Sequence, residues 1–477
     1  MEFDRSVFEQ ARRSRDARFD GRFFIGVRTT GIYCRPVCPA PSPKECNVRY
    51  FLSAAGAAES GFRPCLRCRP ETSPGTPAWL GTSTTVSRAL RLIGESALDD
   101  GGVDQLADRL GIGSRHLRRL FLDHLGATPV SVAQTRRVHF AKRLIDETRL
   151  PFTEVAMASG FGSLRRFNSA FQKMYGRTPT ELRRMNAGRA DEPGRYSLRL
   201  RFRPPFDWKG LLAFLAPRAI PGVESVTAES YRRTITGDGA GNGTAAPLTG
   251  SIDVRLAPKG DALDLRVRFP EARALAGIAE RVRRIFDLGA DPNEIASRLG
   301  TLAQSRPGRR VPGSWDGFEL AVRAILGQQV TVKGATTLAG RIVRAYGTSV
   351  EKECGLTHLF PEARVLAAAD FKGIGLTGAR AATLSAFARA VAEGKLTFRG
   401  VVDTGAFLEV FRSLPGVGEW TAQYVAMRAL GDPDAFPSSD LWLLRAVSAR
   451  SSKELERRAE AWRPWRAYAA MHLWQGD

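Results

Sequence analysis

Cys34-Arg35-Pro36-Val37-Cys38 and Cys65-Leu66-Arg67-Cys68 place four of the chain's six cysteines in two tight clips near its start. Brought together, the clips supply four thiolates, a complete tetrahedral shell for Zn2+. The fold of this segment is therefore constrained before anything else is considered: the two clips must meet. Arg28, Arg35, Arg49, Arg63, Arg67 and Arg69 surround them in sequence, as suits a site that works against an anion. A purely structural zinc knuckle would use the same four ligands, and spacing alone leaves both readings open. Cys46 and Cys354 fall outside the pattern and read as ordinary free thiols.

With four thiols committed to metal there is no disulfide framework, which points to a reducing cytoplasm. The start, Met1-Glu2-Phe3-Asp4-Arg5, does not read as a signal peptide, and no long apolar run offers a membrane span. A net charge of +22 favours a polyanionic partner, and without a membrane segment the expected polyanion is a nucleic acid. A length of 477 residues allows three or four domains.

The first boundary falls in Arg69–Trp79, where Pro, Ser, Thr and Gly interrupt all periodicity. Beyond it comes an internal near-repeat: VDQLADRLGIGSRHLRRLFLDHLGATP (Val103–Pro129) is echoed by FTEVAMASGFGSLRRFNSAFQKMYGRTP (Phe152–Pro179). Each copy reads as a short amphipathic helix, a turn at Gly111 or Gly160, a capping Ser114 or Ser163, and a basic helix, the grammar of a helix-turn-helix. Leu117, Leu120 and Phe121 should pack in the first copy, and Leu164, Phe167 and Phe171 in the second. Arg115, Arg118, Arg119, Arg165, Arg166 and Lys173 are then left outward for DNA. A single basic helix face is as often merely solvated; two copies favour binding.

Two resemblances fit these segments. Asp20–Pro70, with DGRFFIGVRTTGIYCRPVCPA and NVRYFLSAAGAAESGFRPCLRCRP, resembles the N-terminal domain of Ada alkylation-response proteins. That resemblance implies zinc held by Cys34, Cys38, Cys65 and Cys68, with Cys34 the thiolate that irreversibly takes a methyl group from a DNA methylphosphotriester. The repeat, joined through VSVAQTRRVHFAKRLI, resembles the AraC-type DNA-binding domain. Two recognition helices in successive major grooves are implied, with promoter DNA and RNA polymerase as partners. Ada proteins carry such a domain after the zinc module. The Pro-Cys-His-Arg core of an Ada-type O6-methylguanine transferase occurs nowhere in this sequence, so O6-guanine repair is not expected.

After a second linker, Asn186–Gly194, the period changes to two: Tyr196, Leu198, Leu200 and Phe202, then Ile252, Val254 and Leu256, then Leu263, Leu265, Val267 and Phe269. These read as half-buried strands around the loop TGDGAGNGTAAP, whose Asn242-Gly243-Thr244 sequon carries no meaning in a cytoplasmic protein. From about Ala272 the pattern turns helical and stays so to the end. Within it, Pro415-Gly416-Val417-Gly418 predicts a tight turn that leaves backbone N–H groups uncovered at the next helix start, a seat for phosphate. A plain helix connection would look the same.

The surrounding block, LPGVGEWTAQYVAMRAL and AFPSSDLWLLRA, resembles the helix-hairpin-helix DNA glycosylases. Ser314–Gly347 and WRPWRAYAAMHLW narrow this to the AlkA-type 3-methyladenine glycosylases, with the strand-rich segment corresponding to their N-terminal sheet domain. The resemblance implies Asp440 as catalytic carboxylate and Gln329 as the residue that wedges into the duplex gap. At the wedge position the best-known member carries an apolar side chain. N-alkylation makes a purine cationic, so catalysis needs chiefly to stabilise positive charge developing on the deoxyribose. Trp420, Tyr424 and Trp474 would hold the flipped base by stacking and cation–π attraction, unless they are plain bundle core.

The expected fold class is multidomain α+β. The expected divisions are 1–75, a small Ada-like zinc domain; 84–186, an AraC-type double helix-turn-helix; 195–271, an AlkA-like sheet domain; and 272–477, an all-α helix-hairpin-helix glycosylase domain. Two functions compete: an alkylation-response activator that also excises 3-methyladenine-type bases, and a regulator whose C-terminal half binds damaged DNA without excision. Asp440 favours the enzyme.

Overall fold

The structure, a computed structural model, describes residues 5–74, 84–94, 97–99, 101–185, 194–237, 248–398, 401 and 403–474. Residues 75–79 of the first linker, 186–193 of the second and 238–247 of the loop, including the Asn242 sequon, lie outside them. The chain divides into two units. One holds Met1–Pro204, Ala257–Glu280 and Leu288–Asp291; the other holds Pro205–Leu256, Arg281–Asp287 and Pro292–Asp477.

The first unit opens with helix α1 (Arg5–Ser14) and a four-stranded sheet in the order β3-β1-β2-β4. Its strands are β1 (Phe24–Val27), β2 (Ile32–Cys34), β3 (Val48–Phe51) and β4 (Arg63–Pro64), with helix α2 (Ala54–Glu59) between the last two in sequence. β1 pairs antiparallel with β2 and β3, and β2 runs parallel to β4. Neighbouring residues of β1 feed two cores because side chains alternate along a strand. Phe23 and Ile25 pack with Ala11 and Val48, while Phe24 packs with Tyr33, Phe51 and Ala57.

Among the described residues seven helices follow: α3 (Thr84–Gly94), α4 (Val103–Arg109), α5 (Ser114–Leu125), α6 (Pro129–Glu147), α7 (Phe152–Ala158), α8 (Leu164–Tyr175) and α9 (Pro179–Met185). The repeat is a repeat of structure. Gly111 and Gly160 turn the corners at φ 67° and 77°, and both basic helices bury an i, i+4, i+8 stripe: Leu117, Phe121 and Leu125, then Phe167, Phe171 and Tyr175. Two details differ from expectation. Ser163 caps α8 by accepting from Arg166 N–H, but α5 is capped by Gly113 with no side-chain bond, and Ser114 is already its first helical residue. Leu164 does not pack: it stands at the first position of α8, ahead of the turn that Phe167 anchors, and is 39% exposed. Strand β5 (Arg195–Arg201) pairs antiparallel with the strand Ala262–Arg268, and the predicted apolar alternation of both is buried.

The second unit begins with α10 (Trp208–Leu215), a helix the strand-rich reading did not anticipate, capped by Asp207 accepting from Gly210 N–H. β6 (Glu224–Val226), β7 (Ser230–Thr236) and β8 (Thr249–Leu256) pair antiparallel in sequence order. Ile252 and Val254 are buried as predicted, while Leu256 at the strand end is exposed. The remainder is helical with one interruption among the described residues, a hairpin of Ser349–Glu353 and Leu356–His358. Cys354 and Gly355 make that reversal with φ 49° and 86°, the two positive angles a tight hairpin turn demands. No helix among the described residues is long and apolar enough to cross a membrane.

Candidate metal centre and aromatic cleft

The two cysteine clips meet because β2 and β4 are neighbours. Cys34 ends β2, Cys65 follows β4, and Cys65 N–H donates to Tyr33 O at 2.9 Å. The four Sγ atoms lie within 4.8 Å of one another. Sulfurs about 2.3 Å from a tetrahedral Zn2+ would be about 3.8 Å apart, so the cluster fits the ion in both number and spacing. Cys65 and Cys68 are buried, whereas Cys34 and Cys38 are half-buried.

The arginines divide. Arg28, Arg49, Arg63 and Arg67 are exposed. Arg35 does not face outward: it is 4% exposed, paired with Asp20, and donates to Cys68 O at 3.0 Å and Thr72 Oγ1 at 2.9 Å. Arg69 reaches α6 instead, 2.7 Å from Asp146, which Lys142 also pairs. Tyr33, next to Cys34, shares a 2.9 Å hydrogen bond with Nε2 of His139 on α6. Burial, aided by Lys142, pushes His139 down to about 3, so this contact is made by a neutral imidazole. On the basic helices Arg115, Arg118, Arg119, Arg165, Arg166 and Lys173 are all exposed, as the outward face requires.

In the second unit a hairpin joins the helices Thr404–Arg412 and Glu419–Arg428. Gly416 sits at φ 82°, where a Cβ would lie 2.1 Å from Thr383 Oγ1. Gly418 caps the second helix, and no side-chain cap covers its first N–H groups. Gln328 ties a neighbouring turn to this hairpin, donating to Gly416 O at 2.8 Å and Thr421 Oγ1 at 2.9 Å. Gln329 is thereby held exposed at φ 55°, an unusual angle for a residue with a Cβ.

Asp440 caps the helix Leu441–Ala446 and gathers four N–H donors. Its Oδ1 accepts from Trp442 N at 2.9 Å, Leu443 N at 3.1 Å and Trp474 Nε1 at 3.1 Å. Its Oδ2 accepts from Trp420 Nε1, at 2.7 Å, and from no second donor among the described residues. Trp420 stacks on Tyr424 with centroids 5.1 Å apart and planes 13° from parallel, and Trp474 stands 6.1 Å from Tyr424 at 57°. All three rings are half-buried, as cleft walls are and core residues are not. The sequence-predicted carboxylate and aromatics thus converge on one place. Asp434 is engaged elsewhere, paired with Arg463 and with Arg466 at 2.9 Å.

Residues 8–71 match the family model of the metal binding domain of Ada, 106–185 that of a helix-turn-helix domain, and 197–316 that of the AlkA N-terminal domain. The chain is 42% identical over 481 residues to a "probable bifunctional transcriptional activator/DNA repair enzyme AlkA" of Mycobacterium tuberculosis, covering 98% of this chain and 95% of that protein. The chain belongs to that family.

Its second half is also 35% identical over 279 residues to DNA-3-methyladenine glycosylase 2 of Escherichia coli, covering 58% of this chain and 95% of that protein. A 3-methyladenine DNA-glycosylase from Archaeoglobus fulgidus shares the fold at TM-score 0.50 and 23% identity, over 58% of this chain and 96% of its own. In this bifunctional AlkA family the four-thiolate cluster, lying within the Ada-type segment, is a zinc site.

Sequence reasoning missed part of the cleft. Arg428 donates to the Tyr424 hydroxyl and lies over its ring, while Arg218 stacks 3.8 Å over Phe214, which Arg428 also covers. Burial works to raise the Tyr424 hydroxyl, but Arg428, Arg218 and Arg323 outweigh it and hold that group below its ordinary pKa. Arg428 follows Tyr424 by four residues on one helix, a local i, i+4 pair, whereas Arg218 and Arg323 reach the cleft through tertiary packing.

Proposed function

We propose that this chain is an alkylation-response protein that accepts methyl groups from DNA methylphosphotriesters, activates transcription, and excises 3-methyladenine-type bases from double-stranded DNA. Residues 1–75 hold the methyl acceptor, 84–186 bind promoter DNA, and 195–271 with 272–477 form the glycosylase. RNA polymerase is the partner of the activator half. The observation that carries the catalytic reading is Asp440, a carboxylate fixed by two indole N–H groups and two backbone N–H groups beside stacked aromatics.

At the zinc centre Cys34, Cys38, Cys65 and Cys68 hold the ion, which when bound keeps the sulfurs ionised at neutral pH. Cys34 is the acceptor: its S–CH3 bond forms as the CH3–O bond of the triester breaks, and a phosphodiester anion leaves. Its half-buried position supports this over Cys65 and Cys68, which are buried. The exposed Arg28, Arg49, Arg63 and Arg67 attract the phosphate backbone.

At the cleft, Gly416 and Gly418 seat a phosphate, Gln329 fills the gap left by the flipped nucleotide, and Trp420, Tyr424 and Trp474 stack on the electron-poor base. The C1′–N bond breaks with its electron pair going to the base, which neutralises the alkylated purine's charge. Asp440 stabilises the positive charge left on the sugar. Oδ1 is filled by three donors, so Oδ2, with one, faces that charge and orients the water, whose oxygen joins C1′ as one of its protons passes to solvent. Arg115, Arg118, Arg119, Arg165 and Arg166 read and hold promoter DNA. Release of free 3-methyladenine from methylated duplex DNA tests the reading; tight binding without release would restore the regulator that does not cut.

A further inference from the structure

The residue two places beyond Asp440 is the least hidden large apolar side chain among the described residues of its unit. Trp442 is 70% exposed and its neighbour Leu441 66%. An indole left in water gains nothing from folding, because the burial that rewards large apolar groups is absent. Its position is nevertheless rigidly set. Its backbone N–H donates to Asp440 Oδ1 at 2.9 Å, so its Cα stands at a fixed offset from the carboxylate and the exposed ring is carried within a side chain's reach of it. Arg445, one turn on, lies 5.9 Å over the ring and makes no ion pair among the described residues.

An exposed ring with a cation beside it suits a base and its phosphate: the ring offers a stacking face, the guanidinium a phosphate contact. The patch continues the surface already assigned to DNA through Trp420 and Asp440. A second copy of this chain would bring two Arg445 side chains together on a protein of net charge +22, which disfavours self-association there. Gln329 adds a reason for such a contact, since a polar wedge fills the base stack less well than an apolar one.

We propose that Trp442 is a separate duplex contact: as Asp440 engages the flipped nucleotide, the indole stacks on the adjacent base of the lesion strand and Arg445 meets its phosphate. This rests on the glycosylase reading and adds a residue to it. The test is binding of the full-length protein to a duplex carrying a tetrahydrofuran abasic analogue, with 2-aminopurine beside it on the lesion strand. Because no bond is cleaved, the readout is separate from catalysis.

Native protein should quench the 2-aminopurine. Trp442→Ala should abolish the quenching and weaken binding about ten- to hundredfold, the scale of one base–aromatic stack, while Trp442→Phe restores most of both. Arg445→Ala should instead lower the salt dependence of binding by about one phosphate contact. Equal affinity and equal quenching in Trp442→Ala would overturn the proposal and leave the glycosylase reading standing. A dimer that Trp442→Ala dissolves would give the ring to self-association and overturn it as well. Native protein that shows no preference for the analogue over undamaged duplex would defeat both.

Discussion

Trp420 donates its indole N–H to Asp440 Oδ2 across 2.7 Å, joining the helix that follows the hairpin to the start of the helix Leu441–Ala446. That bond anchors one oxygen of the carboxylate and the edge of the ring that stacks on Tyr424. A carboxylate held by four N–H donors cannot swing away when a base enters, which is what preorganised charge stabilisation requires.

The hairpin glycines should separate stability from binding. Gly416→Ala forces a Cβ to 2.1 Å from Thr383 Oγ1 at φ 82°, so thermal unfolding should show a loss of at least about 1 kcal/mol. A Cβ added at Gly418 would meet nothing within 4 Å, and its φ of −92° is an ordinary one. Gly418→Ala should therefore melt like the native protein yet bind duplex DNA more weakly. Equal binding would remove the phosphate seat from the account.

The activator half should be separable. Arg118→Ala or Arg165→Ala, both exposed on the basic helices, should weaken promoter binding in a mobility-shift assay and leave base excision almost unchanged. Equal damage to excision would contradict the modular reading.

A pH effect follows from Asp287. Burial raises it to about 6, against the lowering pull of Arg310 and the Tyr468 hydrogen bond at 2.7 Å. The folded state therefore holds this proton more tightly than the unfolded chain. The stability it contributes is full below the unfolded value near 4 and is lost as pH rises through about 6. Asp287→Asn should thus raise stability near neutral pH by about 1–2 kcal/mol and change little at pH 4, measured by thermal unfolding at both.

The methyl acceptor can be weighed. Protein incubated with methylphosphotriester DNA should gain one methyl mass, mapped to the peptide containing Cys34, and Cys34→Ser should gain none. Specific DNA affinity should rise on methylation, because a neutral thioether repels phosphate less than a thiolate. A methyl on Cys65 or Cys68 would move the acceptor.

Metal geometry and strand alternation were legible in the sequence because each depends on local spacing. Two cysteine clips can meet in few ways, and Tyr196, Leu198 and Leu200 bury on one face whatever lies beyond. Charge was less informative. Arg35 looked like part of an anion site and is a buried partner of Asp20, since a side chain's sign does not reveal which way it points. The cleft was legible through Asp440 and its aromatics, whereas Arg218 and the exposure of Trp442 depend on elements distant in sequence; Arg428, one helical turn after Tyr424, was readable and went unread. The hairpin at Cys354 escaped because its turn residues lie inside a helical stretch with no period-two flanks.

The central claim, that Asp440 drives base excision, is tested by single-turnover release of 3-methyladenine from duplex DNA by Asp440→Asn. The amide keeps the shape, loses the charge and sets an N–H group against one of its indole or backbone donors. Damaged-DNA binding should stay near native, while the rate falls by several orders of magnitude, about what a few kcal/mol of lost charge stabilisation amounts to. A rate within a few-fold of native would contradict the account.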